Sequence, residues 1–171
     1  MLKLTICLCL ISPIHAAVDG INSTIRIIAD EMECDQQKNI CVAKGNAFAE
    51  QPHDPNKRTI RAEKFIAHFS KSENGTKLNP GETGKNNLKK LEAHGSVVLT
   101  DKDSIILCDT AIYDHPTESV ELFDNVKITS GPNQLNGSYG HADLKTKKYR
   151  VTNKNNQVEG LFVNTDKKDK S

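Results

Sequence analysis

The sequence has no tryptophan, only 5% aromatic residues and no excess of either charge: 23 Lys and Arg stand against 22 Asp and Glu in 171 residues. Balanced charge excludes a protein held on nucleic acid by counterion release, which needs a basic surface. No apolar run reaches the roughly 18 residues of a membrane-crossing helix, so a multi-span membrane protein is excluded too. Catalytic signatures are missing. G-x-S-x-G, H-E-x-x-H, the P-loop and G-x-G-x-x-G do not occur, so no enzyme and no cofactor are expected. His53, His68, His94, His115 and His141 are scattered, none at ligand spacing with another, and no metal site is expected. Asp101 and Asp103 open like a calcium loop, but the glycine and distal glutamate of an EF-hand do not follow. A hairpin turn is expected there.

What is present begins with a targeting segment. Lys3 precedes an apolar stretch from Leu4 to Ser12, Pro13 breaks it, and Ala16-Ala17 offers small residues for cleavage. This is the pattern of a secretory signal peptide over residues 1–16, with 17–26 as an N-terminal lead. An uncleaved anchor is the alternative. Export to an oxidising compartment gives the cysteines meaning. Without Cys7 and Cys9, the mature chain keeps Cys34, Cys41 and Cys108. An odd number leaves at least one thiol free or paired between chains. Cys34 and Cys41 flank a turn-like stretch, Asp35 to Asn39, and are a candidate cross-strand disulfide; two small buried residues are the other reading.

The chain also repeats itself. Ala29-Asp30 leads to Asp35, and ten residues later comes Gly45-Asn46-Ala47. Asp109 leads to Asp114, and ten residues later comes Asp124-Asn125-Val126. Ala62-Glu63 leads to His68 and, after an insertion of about 17 residues, to Gly95-Ser96-Val97. A fainter copy runs from Ser138 through Asp143 to Val151. Each unit is a pair of apolar-alternating runs around a polar turn: Asp35–Asn39, Asp114–Glu118 or Asp143–Lys147. The insert, 70–90, is polar with Pro80 and reads as a surface loop. The charged tail, 164–171, reads as disordered.

Alternation has period two, which means strands with one buried face. The inward parity collects Ile28, Met32, Ala43, Ala47, Phe65, Phe69, Leu91, Ala93, Val97 and Leu99. It also collects Leu107, Ala111, Tyr113, Val120, Leu122, Val126 and Ile128. The same parity puts Asp30, Glu63 and Asp109 inward, near strand starts. No segment makes a convincing amphipathic helix. The expectation is an all-β chain of about eight to ten stacked antiparallel strands.

The unit formed by Ala29-Asp30, Asp35 and Ala43-Lys44-Gly45-Asn46-Ala47 resembles the OstA-like (LptA) family of Gram-negative lipopolysaccharide-transport proteins. Ala62-Glu63 with Ala93-His94-Gly95-Ser96-Val97, and Asp109 to Val126, carry the same resemblance over roughly residues 27–152. It implies an open, twisted β-jellyroll over 27–163, shaped like a folded taco shell. It implies a periplasmic bridge that holds the acyl chains of lipopolysaccharide against the inward residues. The implied partners are inner-membrane LptC-like and outer-membrane LptD-like proteins, met by stacking of strand edges, with head-to-tail self-association. The chain departs from the pattern in three places: Asp124 stands where the other units have glycine, the 70–90 insert is long, and Asn153 ends the degenerate fourth copy. The competing readings are an LptC-like, membrane-anchored component, a structural β-repeat protein without a ligand, and a hydrolase on a β-scaffold.

Overall fold

Three pairs of residues in the left-handed backbone region organise the sheet. Gly45 and Asn46, Gly95 and Ser96, and Asp124 and Asn125 all have φ between 44° and 81°. Glycine adopts this region freely, and Asn and Asp tolerate it better than other side chains. The computed structural model describes residues 25–70, 88–154 and 156–163. The expected signal peptide, most of the insert and the charged tail lie outside the described residues.

The described elements are β1 (Arg26–Ile28), β2 (Glu31–Asp35), β3 (Ile40–Glu50), β4 (Thr59–Phe69) and β5 (Leu88–Thr100). They continue with β6 (Ser104–Asp114), β7 (Ser119–Ser130), β8 (Asn133–Asp143), β9 (Lys148–Thr152) and β10 (Glu159–Leu161). All pair antiparallel in one open sheet. The left-handed pairs lie mid-strand in β3, β5 and β7. At each, the strand carries one residue more than its following neighbour: Lys44 and Ala47 face Lys64 and Ala62, His94 and Val97 face Thr110 and Cys108, Phe123 and Val126 face Tyr139 and Gly137. Such bulges bend a strand. By register they line up across the sheet and crease it into two leaves.

At the ends of the sheet the strand breaks instead of bending. β2 pairs with Ile40 to Lys44 of β3, and β1 pairs with Phe48 to Glu50. β9 pairs with Tyr139 to Asp143 of β8, and β10 with Gln134 to Asn136. The first leaf therefore holds β2, β9 and the halves of β3–β8 on the side of the three expected turns and the insert. The second leaf holds β1, β10 and the remaining halves. The turns close as their sequences require: Asp35, Asp114 and Asp143 each accept backbone N–H groups from the turn that follows, at 2.9–3.1 Å. Asp101 does the same for Asp103 and Ser104, both at 2.7 Å, and makes a hairpin turn.

The inner faces of both leaves form one core. Phe65, Leu91, Val97, Val120, Leu122 and Val126 are its largest fully buried side chains, with Ala43, Ala47, Ala93 and Ala111 between them. The bulges also correct the expected parity. On β6 the buried residues are Ser104, Ile106, Cys108, Ala111 and Tyr113, so the frame shifts by one between Cys108 and Ala111. Leu107 therefore points outward and is 39% exposed. Asp30, Glu63 and Asp109 are exposed rather than inward for the same reason. Ile28 is opposite Phe48 on the outer face, and Ile27, opposite Ala49, takes the inward place. Met32 is opposite buried Ala43, but it lies on the uncovered edge strand and is half exposed.

Candidate functional site: the groove between the leaves

The crease is held by a clasp that recurs with the sequence repeat. The Asn46 amide donates to Asp30 at 2.8 Å, Asn125 donates to Asp109 at 2.7 Å, and the Ser96 hydroxyl donates to Glu63 at 3.3 Å. In the degenerate fourth copy the Ser138 hydroxyl takes the acid's place and accepts the Lys154 backbone N–H at 3.0 Å. The first, third and fourth clasps all span 16 residues, and the second spans 33 because the insert falls inside it. The acids are thus part of the outer crease and leave the interior apolar.

That interior opens into a cavity lined by both leaves. Leu91, Tyr113, Val120 and Leu144 come from the first leaf, and Ile25, Ala49, Ile60, Leu99 and Ile106 come from the second. Counted as room for the centres of water-sized groups, the cavity is about 60 Å³. Its rim is polar: Glu50, Gln51, Arg58, Thr59, Thr100, Asp101 and Ser104. Arg58 is the central rim cation. It donates to buried Asp54 at 2.6 Å and to Glu118 at 3.3 Å. Burial disfavours its charge, but the Asp54 carboxylate outweighs burial and raises its pKa above the ordinary value. Burial pushes Tyr113 up to about 12, so its hydroxyl stays protonated and meets His115 Nδ1 at 3.1 Å. Cys108 is likewise pushed to about 12 by burial and remains an unreactive thiol.

Of the inward residues expected from sequence, Leu91, Leu99, Tyr113 and Val120 line this cavity. Ala43, Ala47, Phe65, Ala93, Val97, Ala111, Leu122, Val126 and Ile128 pack in the core, and Phe69 packs partly buried against it. Ile60, Ile106 and Arg58 were not singled out from sequence. Ile106 is found by alternation once counting starts at Ser104 instead of across the bulge. Arg58 lies in an irregular loop, where periodicity carries no signal. Cys34 and Cys41 are opposite in the β2–β3 register and joined by a disulfide. His68 and His94 both approach Glu92 on the outer face, at 2.9 and 3.4 Å. Among the described residues, no group of three or more His, Cys, Asp or Glu is placed to hold a metal ion.

Among the described residues ten antiparallel strands, creased by repeated bulges and left open, form an open β-jellyroll. The chain belongs to the family described as LptA/(LptD N-terminal domain) LPS transport protein, whose model matches residues 26–148. Among solved structures it is similar to LptH from Pseudomonas aeruginosa, described as the LptA-homologous periplasmic component of the conserved lipopolysaccharide transport device. The TM-score is 0.67 at 15% identity, over 85% of this chain and 100% of that one, a likeness of fold. No curated protein matches the chain in sequence.

Proposed function

We propose that this chain is an exported periplasmic protein that binds lipopolysaccharide and carries it from the inner towards the outer membrane. Its signal peptide is 1–16 and its working domain is 27–163. The observation that carries the reading is the apolar cavity between two leaves of one open sheet, with charge confined to its rim. Burying an acyl chain there is favourable by about 0.8 kcal/mol per CH₂, and no bond has to be made or broken. A sheet with two free edges also offers docking by strand addition. The β1–β2 edge and the β9–β10 edge, where Leu161 and Phe162 are exposed, would meet LptC-like and LptD-like partners or further copies of this chain.

Equilibrium binding of intact lipopolysaccharide and of its polysaccharide stripped of acyl chains tests this reading. Saturable binding of the intact lipid alone is expected. Equal binding of both would mean that the interior is not the site.

A further inference from the structure

We propose that the two leaves are latched along their free ends by side chains alone, and that this latch controls access of apolar guests to the interior. The proposal rests on the interior being the lipid site and names what regulates it. Along each lip, neighbouring turns are tied by backbone hydrogen bonds. In the first leaf Phe69 donates to Asn39, His115 to Lys89 and Leu144 to Glu118; in the second, Lys102 donates to Asn56. Across the seam, among the described residues, these turns exchange no backbone hydrogen bond. The polar contacts that cross it among the described residues are Arg58 to Glu118 at 3.3 Å, Lys147 to Asp103 at 2.8 Å, and Tyr149 to Ser104 at 3.3 Å, hydroxyl to hydroxyl.

Opposite the seam the leaves are continuous chain, bent at the bulges and clasped. The molecule therefore has a hinge made of backbone and a closure made of side chains. Arg58, Ser104 and Leu144 also line the cavity, so the closure lies directly over it. The cavity has about 60 Å³ for the centres of water-sized groups. An acyl chain is wider than a water and claims more of this space, so widening the groove eases its entry. The groove widens when the leaves part, and parting them breaks the seam pairs first. Lys147 and Asp103 are about half exposed, so salt screens them.

The test uses 1-N-phenylnaphthylamine, an uncharged apolar fluorophore, so that salt acts on the protein and not on the guest. Its uptake rate is followed by stopped-flow fluorescence in the mature wild-type chain, in Asp103→Lys, in Glu118→Lys and in the swapped pair Asp103→Lys with Lys147→Asp. Glu121→Lys, on the outer face, is the control for added charge. Circular dichroism confirms that each variant folds. Uptake by wild type should speed up severalfold as salt rises from about 10 mM to about 1 M, where the screening length shrinks from about 30 to 3 Å. Asp103→Lys and Glu118→Lys should be fast already at low salt, and the swapped pair should be slow again. Equal rates in all variants, a control as fast as the seam variants, or no uptake by any chain would overturn the latch. Displacement of the dye by lipopolysaccharide is scored separately. A latch that responds to charge while the lipid fails to displace the dye would leave the closure standing and remove the lipid reading.

Discussion

Asp30, Glu63 and Asp109 show what single residues do in this chain. Their spacing is part of the repeat visible in sequence, yet strict alternation puts them inside. The bulge explains both facts. It consumes one residue, turns the acid outward, and gives it a left-handed partner to hold at Asn46, Ser96 or Asn125. It also explains Asp124 in place of glycine: Asp is among the few side chains that tolerate φ of 58°. Gly95 has less latitude. At φ of 81° an added Cβ would fall 2.6 Å from the Glu63 carboxyl carbon. Gly95→Val should therefore lower stability by about 1–3 kcal/mol, read from urea unfolding midpoints. An unchanged midpoint would mean that the crease does not depend on this conformation.

At the scale of elements, turn chemistry and alternation located the strands, because Asx turns and period two are local properties. What alternation alone does not reveal is where the frame slips, since slippage depends on the neighbouring strand. β6 makes the point. Ile106 and Leu107 are adjacent, apolar and indistinguishable by type, yet one lines the cavity and the other faces out. Leu122, fully buried in β7, should lose about 2–5 kcal/mol as Leu122→Ala, whereas Leu107→Ala should stay within about 0.5 kcal/mol. Equal losses would contradict the bulged frame.

The Gln51–Arg58 loop was illegible in sequence because its order comes from one side chain. The Asp54 carboxylate is 2% exposed and accepts from the Asn56 and Arg58 backbone N–H groups, both at 3.1 Å, and from Arg58 Nε at 2.6 Å. Burial raises its pKa, but the Arg58 and backbone hydrogen bonds outweigh burial, and the folded value lies below the ordinary 3.8. A depressed carboxyl pKa contributes stability that is complete above the unfolded value and lost as pH falls through the folded one. The stability gap between wild type and Asp54→Asn should therefore be flat from about pH 5 to 7 and shrink below about pH 4, near the unfolded carboxylate pKa. Urea midpoints across that range measure it. A gap that stays constant down to pH 3 would remove Asp54 from the account.

At the scale of the whole molecule, the described residues form one sheet that serves as both wall and hinge. Its core is rich in alanine near the crease, so the leaves approach closely there, and it is hollow nearer the lips, where Leu91, Leu99 and Ile106 face one another across the cavity. The architecture was legible because it repeats. The seam was not, because Arg58, Asp103, Glu118 and Lys147 come from four different turns that only the folded sheet brings together. The central claim, that acyl chains lie between the leaves, is tested most directly by placing a photo-crosslinking residue at Ile106 and, separately, at Leu107, with lipopolysaccharide present. Both positions are apolar and neighbours in sequence, so only the face differs. A lipid adduct at Ile106 with little at Leu107 is the predicted result. Adducts at Leu107 alone, or at neither position in a folded protein, would contradict the account.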